Sequence, residues 1–265
     1  MPELPEVERA RRIANNHVVG KKIRQVATVR DEIVFVGVTE RRFSAALRGR
    51  TVLAACRIGK HLWFELDRRP WPCFHFGMTG SFQVYDSQRD RPRFWKVELQ
   101  MVDGTRLAMP NARRLGRIRL VQDPQTTPPI SKLGFDPLQG LPSTKQLSRM
   151  LDGRRTPIKA LMLDQSVFAG VGNWIADEVL YQARISPHRR ANELSDIQVQ
   201  QLRRRLRAIV VKACQVDADK NRFPRTWLFH HRWAKNPKAR TYRREKIVHE
   251  TIGGRTTAWV PTVQR

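Results

Sequence analysis

Pro2, Glu3 and Glu6, at the start of this 265-residue chain, have the types and spacing for covalent chemistry on a carbonyl-like carbon. Proline is a small penultimate residue, so Met1 is expected to be removable, which would leave Pro2 with a free secondary amine. A neutral amine attacks such a carbon and forms an iminium, an electron sink joined covalently to the chain. An unperturbed α-amino group has a pKa of roughly 7.7–8.0, so a usable neutral fraction exists near physiological pH. A carboxyl group within hydrogen-bond reach supplies the proton such a step needs. While Met1 is retained, the Pro2 nitrogen is an amide and the chemistry is blocked.

These groups must be held by a helix. Pro5 suits a first helical turn, where a missing N–H costs nothing, and Val7, Ala10, Ile13 and Ala14 recur at helical spacing. The positive end of that helix disfavours a protonated amine and favours a carboxylate. Glu6 lies about one turn beyond Glu3 and is the weaker catalytic candidate, with organisation of the helix start as its other role. The plain alternative is an ordinary capped helix with two solvated glutamates.

From about residue 20 to 121 the pattern is β-rich. Lys22–Val29, Thr51–Arg57, His61–Leu66, Ser81–Tyr85, Trp95–Met101, Thr105–Met109 and Arg117–Val121 read as strands, and Asp103-Gly104 as a hairpin turn. One leading helix and many short strands predict a two-layer β-sandwich. The expected division is a catalytic domain over 1–125, a linker over 126–142 rich in Pro, Gly and Thr, a helical domain over 143–235 and a β-hairpin over 236–265. The fold class is α+β. In the helical part, Thr156-Pro157 reads as N-cap and first helical residue. Gly170 to Asn173 forms a tight turn with Asn173 placed to cap a helix over Trp174–Arg184. Ser195-Asp196-Ile197-Gln198 is a capping box. It opens a helix with Leu202, Leu206, Ile209, Val210 and Ala213 on one face and Arg203, Arg204, Arg205 and Arg207 on the other. That arginine run reads as a solvated face rather than a set of specific contacts. At the C-terminal end, Lys246–Thr251 and Arg255–Val260 flank Gly253-Gly254, a hairpin signal.

Lys and Arg number 50 against 24 Asp and Glu, a formal net charge of +26. An excess this large points to a polyanionic partner, most simply nucleic acid, without separating DNA from RNA. No stretch of about 18 apolar residues is present, so no membrane span is expected, and the start of the chain has no apolar signal-peptide core. The three cysteines, Cys56, Cys73 and Cys214, are scattered, form no CxxC pair and are too few for a four-cysteine zinc site. His249 alone is no ligand set, and His230-His231 reads as a DNA-facing or cap pair rather than a metal site.

The octapeptide MPELPEVE resembles the start of the formamidopyrimidine-DNA glycosylase (Fpg/Nei) family, and Leu4 favours the formamidopyrimidine branch. His75-Phe76-Gly77-Met78-Thr79-Gly80-Ser81, Arg113-Arg114-Leu115-Gly116, Leu133-Gly134 with Asp136-Pro137-Leu138, and Gly170-Val171-Gly172-Asn173 follow in the family's order, so the resemblance covers nearly the whole chain. It implies a helix–two-turns–helix motif in the helical domain. At the C-terminal end it implies the family's zincless finger, known in plants and fungi, with the hairpin kept by strand pairing and by Ile247, Trp259 and Val260.

The implied activity is base-excision repair: removal of oxidised purines from duplex DNA, with strand cleavage, by a monomer needing no cofactor or metal. Such an enzyme extrudes the base before cutting. The resemblance makes Pro2 the nucleophile, Glu3 the general acid, and Lys60 a phosphate ligand that assists elimination. It places His75, Asn173, Arg155, Lys159 and Arg255 on the backbone phosphates, with Arg255 clamping those that flank the lesion. It gives Met78, Arg113 and Leu115 the task of filling the hole, with Arg113 reading the orphaned base. Leu115 departs from the family's usual Phe, which implies less stacking on the adjacent pair and an altered opposite-base preference. Ala218–Trp227 departs from the bacterial lesion-capping loop, which raises a preference for formamidopyrimidines or hydantoins over 8-oxoguanine. Competing readings are a sister enzyme for oxidised pyrimidines or single-stranded lesions, a non-catalytic damage binder, and an RNA-binding protein, which fits the charge but not the N-terminus. The compartment is the nucleus for a plant or fungal source, and the cytoplasm with the nucleoid for a bacterial one.

Overall fold

The computed structural model describes residues 2–233 and 236–265. The expected removal of Met1 and the boundary expected at residue 235 fall outside them. The chain forms two compact units that divide between Lys132 and Leu133, inside the segment read as a linker. The C-terminal hairpin belongs to the second unit with the helices.

In the first unit, helix α1 (Leu4–His17) buries Val7, Ala10 and Ala14. Strands β1 (Ile23–Thr28), β2 (Val52–Ile58), β3 (His61–Leu66), β4 (Trp71–His75), β5 (Gln83–Tyr85), β6 (Trp95–Met101), β7 (Arg106–Pro110) and β8 (Arg117–Val121) form two four-stranded sheets, ordered β1-β6-β7-β5 and β2-β3-β4-β8. All of the pairings are antiparallel. The α1 face shares one core with Ile23, Leu62, Phe64, Phe74, Phe82, Leu99 and Ile118, which is the expected sandwich. Two elements were not anticipated. Helix α2 (Glu40–Leu47) starts at Thr39, whose hydroxyl accepts from the Arg42 N–H at 3.3 Å. Strand β4 contains Pro72, which argues against a central strand. Pro72 is tolerated because the β3–β4 pairing ends at Cys73, one residue short of it.

In the second unit, helices α3 (Thr144–Leu151), α4 (Ile158–Leu163), α5 (Asn173–Ala183) and α6 (Asp196–Gln215) precede a hairpin of β9 (Val248–Ile252) and β10 (Arg255–Trp259). The capping box at Ser195 and the buried Leu202, Leu206, Ile209, Val210 and Ala213 face of α6 are as expected. Two caps differ. Pro157, not Thr156, is the N-cap of α4. Its first N–H groups are met by the Arg189 and Pro187 carbonyls at 2.8 and 3.3 Å, which leaves no task for a Thr156 hydroxyl. Gly172 is the N-cap of α5, and Asn173 is its first residue. The departing segment Ala218–Trp227 is anchored rather than open. Phe223 and Trp227 are buried and pack with Trp174 and Phe229, and a 3-10 turn spans Lys220–Arg222. Among the described residues, no helix is long and apolar enough to cross a membrane.

Candidate active site

The start of α1 is built by two carboxyl groups. Glu3 is the N-cap in extended backbone, and its N–H donates to Glu6 Oε2 at 2.9 Å. The side chain of Glu3 is buried. Burial pushes the Glu6 carboxyl up to about 7, and the neighbouring Glu3 charge adds to the effect. The carboxyl expected to be the weaker candidate is therefore one whose proton is poised near neutral pH. Pro2 precedes this cap and is half-buried.

Glu8, two residues beyond Glu6, fixes α1 to the sheet. It accepts from Arg57 Nε at 3.0 Å and Arg11 Nη2 at 2.8 Å. Burial alone would raise its pKa, but these guanidinium groups outweigh burial and hold it below the usual range. Arg57 is itself buried and donates through Nη1 to the Gly59 carbonyl at 3.0 Å. Gly59 has φ +57° and turns the chain into Lys60. The helix start and the lysine turn are thus tied by one buried ion pair.

His75 lies beside that turn through the His61–His75 register pair, with ring centroids 4.8 Å apart. Burial, then the charges of Lys60, Arg119 and Arg117, lower its pKa to about 4. It is neutral at pH 7, and Nδ1 accepts from the Gly77 N–H at 3.3 Å. The proton therefore sits on Nε2, ready to donate to an anionic oxygen.

Met78, half-buried, sits on the turn after β4, and Arg113 and Leu115, both exposed, sit on the turn between β7 and β8. These turns lie against each other, so that a Cβ on Gly77 would stand 2.4 Å from the Leu115 carbonyl. Arg114, at φ +54°, points the other way and pairs with buried Asp31 at 3.0 Å, while Lys96 reaches the same carboxylate at 2.8 Å. Burial raises the Asp31 pKa, but Arg114 and Lys96 prevail and bring it down to about 2.

In the second unit, Arg155 and Arg255 are exposed as expected, with Arg255 just after the Gly253-Gly254 turn, where φ is +59° and +72°. Lys159 needs correction. It is fully buried, and its Nζ is committed to Asp177 and to the Asn173 carbonyl, so it does not lie on a phosphate-facing surface. Asp177 also receives Arg232 through Nη2 at 2.5 Å and the Ala258 N–H at 3.1 Å. Asn173 does not cap its helix; its Nδ2 donates to the Thr256 carbonyl at 2.8 Å. One carboxylate therefore joins α4, α5, the 232 segment and the finger strand that begins with Arg255. Tyr181 and Thr241 both donate to Glu245 Oε2, at 2.8 and 2.7 Å, beside the same hairpin. His249 Nε2 lies 3.0 Å from the Arg232 carbonyl and His230 Nε2 lies 3.4 Å from that of Phe223. No group of three His, Cys, Asp or Glu among the described residues could hold a metal.

Asp31, Arg57, Asn111, Asp177 and Arg232 are the supporting residues that sequence reasoning missed. Glu8 stood in the quoted octapeptide but was given no role; it lies one turn beyond Leu4, and both are buried.

The sequence matches the profile of the formamidopyrimidine-DNA glycosylase N-terminal domain over residues 1–118 and that of the same enzyme's H2TH domain over residues 133–224. The formamidopyrimidine-DNA glycosylase of Arabidopsis thaliana is 40% identical over 278 residues, spanning 100% of this chain and 71% of the relative. That of Thermus thermophilus is 36% identical over 218 residues, spanning 82% of this chain and 77% of the relative. A Lactococcus lactis Fpg variant crystallised with DNA containing Fapy-dG superposes with a TM-score of 0.87 at 26% identity, over 100% of both chains. MutM in complex with DNA containing carbocyclic 8-oxo-G does so with a TM-score of 0.87 at 25% identity, also over 100% of both. With both domain profiles matched in order and a 40% identical relative aligned along the whole of this chain, the chain belongs to the formamidopyrimidine-DNA glycosylase family.

Proposed function

We propose that this DNA glycosylase removes oxidised purines from duplex DNA through an iminium on Pro2 and then cleaves the strand as a lyase. The Pro2 nitrogen bonds to the sugar's anomeric carbon while the base leaves with the glycosidic electron pair and takes up a proton. Glu3 protonates the ring oxygen as the sugar opens, and the nitrogen lone pair completes the iminium. The adjacent C2′ proton is then acidic. Its loss expels the 3′ phosphate, and a second elimination expels the 5′ phosphate. Water hydrolyses the iminium and restores the amine. Glu6 holds the cap from which Glu3 works. Lys60, His75, Asn173, Arg155 and Arg255 bind phosphates, and Met78, Arg113 and Leu115 fill the vacated space. The observation that carries this reading is the capped helix start, where Pro2 leads directly into buried Glu3 backed by Glu6 with its pKa near 7.

The test is borohydride trapping on a duplex with one oxidised guanine opposite cytosine, with intact-mass analysis of the protein alongside. We expect a covalent adduct from Met-cleaved protein that is lost in Pro2→Gly and Glu3→Gln. Absence of any adduct from fully Met-cleaved protein, on this duplex and on formamidopyrimidine and abasic ones, would replace the reading with non-catalytic damage binding. Competition among formamidopyrimidine, hydantoin and 8-oxoguanine lesions in one duplex context tests the preference for formamidopyrimidines or hydantoins, which a clear 8-oxoguanine preference rules out. The protein acts as a monomer on double-stranded damaged DNA. Its setting would be the nucleus for a plant or fungal source and the cytoplasm with the nucleoid for a bacterial one.

A further inference from the structure

We propose that Asn111 is a positioning residue for opposite-base selectivity, because its side chain clasps the Met78 turn to the Arg113–Leu115 turn. This rests on the reading above that these side chains fill the space left by the extruded base. The Asn111 side chain is fully buried. Its Nδ2 donates to the Phe76 carbonyl at 2.9 Å, and its Oδ1 accepts from the Gly116 N–H at 3.0 Å. An amide suits this place because it carries a donor and an acceptor on one planar group. The two backbone groups it satisfies belong to different turns, one on each side.

The glycines show how close the turns are. A Cβ on Gly80 would come within 2.8 Å of Asn111 Nδ2, and one on Gly116 within 2.7 Å. Gly77 meets the Leu115 backbone directly. The Asn111 backbone is held as well, its N–H donating to the Phe94 carbonyl at 2.9 Å and its carbonyl accepting from the Arg114 N–H at 3.3 Å. On the far side, Asp31 pins Arg114. Met78 and Arg113 therefore move as one body. The reader of the orphaned base is set by the same side chain that sets the wedge.

The experiment compares wild type, Asn111→Ala, Asn111→Asp and Arg113→Ala in the full chain. Three readouts are taken: cleavage of oxidised guanine opposite cytosine against opposite adenine, borohydride trapping on a single-stranded abasic oligonucleotide, and amide exchange over 76–80 and 111–116. The single strand has no hole to fill and no orphaned base to read. In Asn111→Ala the cytosine-to-adenine ratio should fall by about tenfold, the scale of losing one good base contact. It should approach the Arg113→Ala value. Single-strand trapping should stay at the wild-type level, and both segments should lose exchange protection together. Asn111→Asp keeps the acceptor for Gly116 and loses the donor for Phe76, so it should fall between the two; it decides the matter if the alanine variant does not fold. An unchanged ratio, an equal fall on duplex and single strand, or loss of protection in only one segment would overturn the proposal. Absence of cleavage and trapping by wild type would instead overturn the functional reading.

Discussion

Glu6 carries a pH dependence that can be measured on the free protein. Below about pH 4.5 it is protonated both folded and unfolded. Between there and about 7 the unfolded chain gives up the proton while the folded chain keeps it, so stability falls as pH rises through that window and then levels. The full drop is roughly 3 kcal/mol. Glu178, also raised to about 7 by burial, titrates over the same range, so only the difference between wild type and variant isolates Glu6. Glu6→Gln keeps an acceptor for the Glu3 N–H and cannot ionise. Its melting temperature should decline less than wild type between pH 5 and 7.5; parallel curves would show that Glu6 does not hold its proton. At this scale the sequence spoke clearly where a residue type is rare in its role, as with proline before two glutamates at a helix start. It was silent where a role depends on a distant partner. Lys159 looks like a surface cation beside Arg154 and Arg155, and only the fold brings Asp177 to it. Asn111 is likewise unremarked as an amide among arginines until the two turns meet around it.

The finger is the element most dependent on such a partner. Asp177 binds Lys159, Arg232 and the Ala258 N–H within α5 and β10 surroundings that exclude water. Asp177→Asn leaves an acceptor for Ala258 but strands two buried cations. Breaking a buried pair in this way costs about 3–5 kcal/mol. The variant should unfold at lower denaturant and bind an abasic duplex more weakly, since Arg255 begins the strand that Ala258 anchors. Unchanged denaturation and gel-shift affinity would mean that strand pairing alone holds the finger. Elements with a clean period were readable: most strands of the sandwich, the α6 stripe, the hairpin around Gly253-Gly254. Those missed had a contrary local signal. Pro72 hid β4, and the eight residues of α2 were too few to show a period. The Thr156 cap was misplaced because the carbonyls that replaced it come from residues 187 and 189, far along the chain.

For the whole molecule, a formal net charge of +26 sets the response to salt. A protein neutralising 6–10 phosphates loses on the order of 10³–10⁵ in affinity between 50 and 200 mM salt. Binding to an undamaged duplex should show a dependence at the lower end of that range or steeper, and near-indifference to salt would exclude charge as the source of affinity. The charge and the β-to-helix change at mid-chain were visible from composition and periodicity. Membership of the hairpin in the second unit was not, because the ties that place it there run from α5 to β10 through Asn173 and Asp177.

The Asp177 junction also has a chemical consequence for a protein that works where guanine is being oxidised. Zinc fingers rest on cysteine thiolates, and thiolates are what peroxide attacks first, climbing to sulfenic and sulfinic acids. Here the finger is fastened by a carboxylate, a guanidinium and an ammonium, and the three cysteines of the chain all lie before residue 215. An oxidant burst that would strip metal from a thiolate cluster finds no such group in this clamp. The tool is made of parts that the damage it answers does not readily consume.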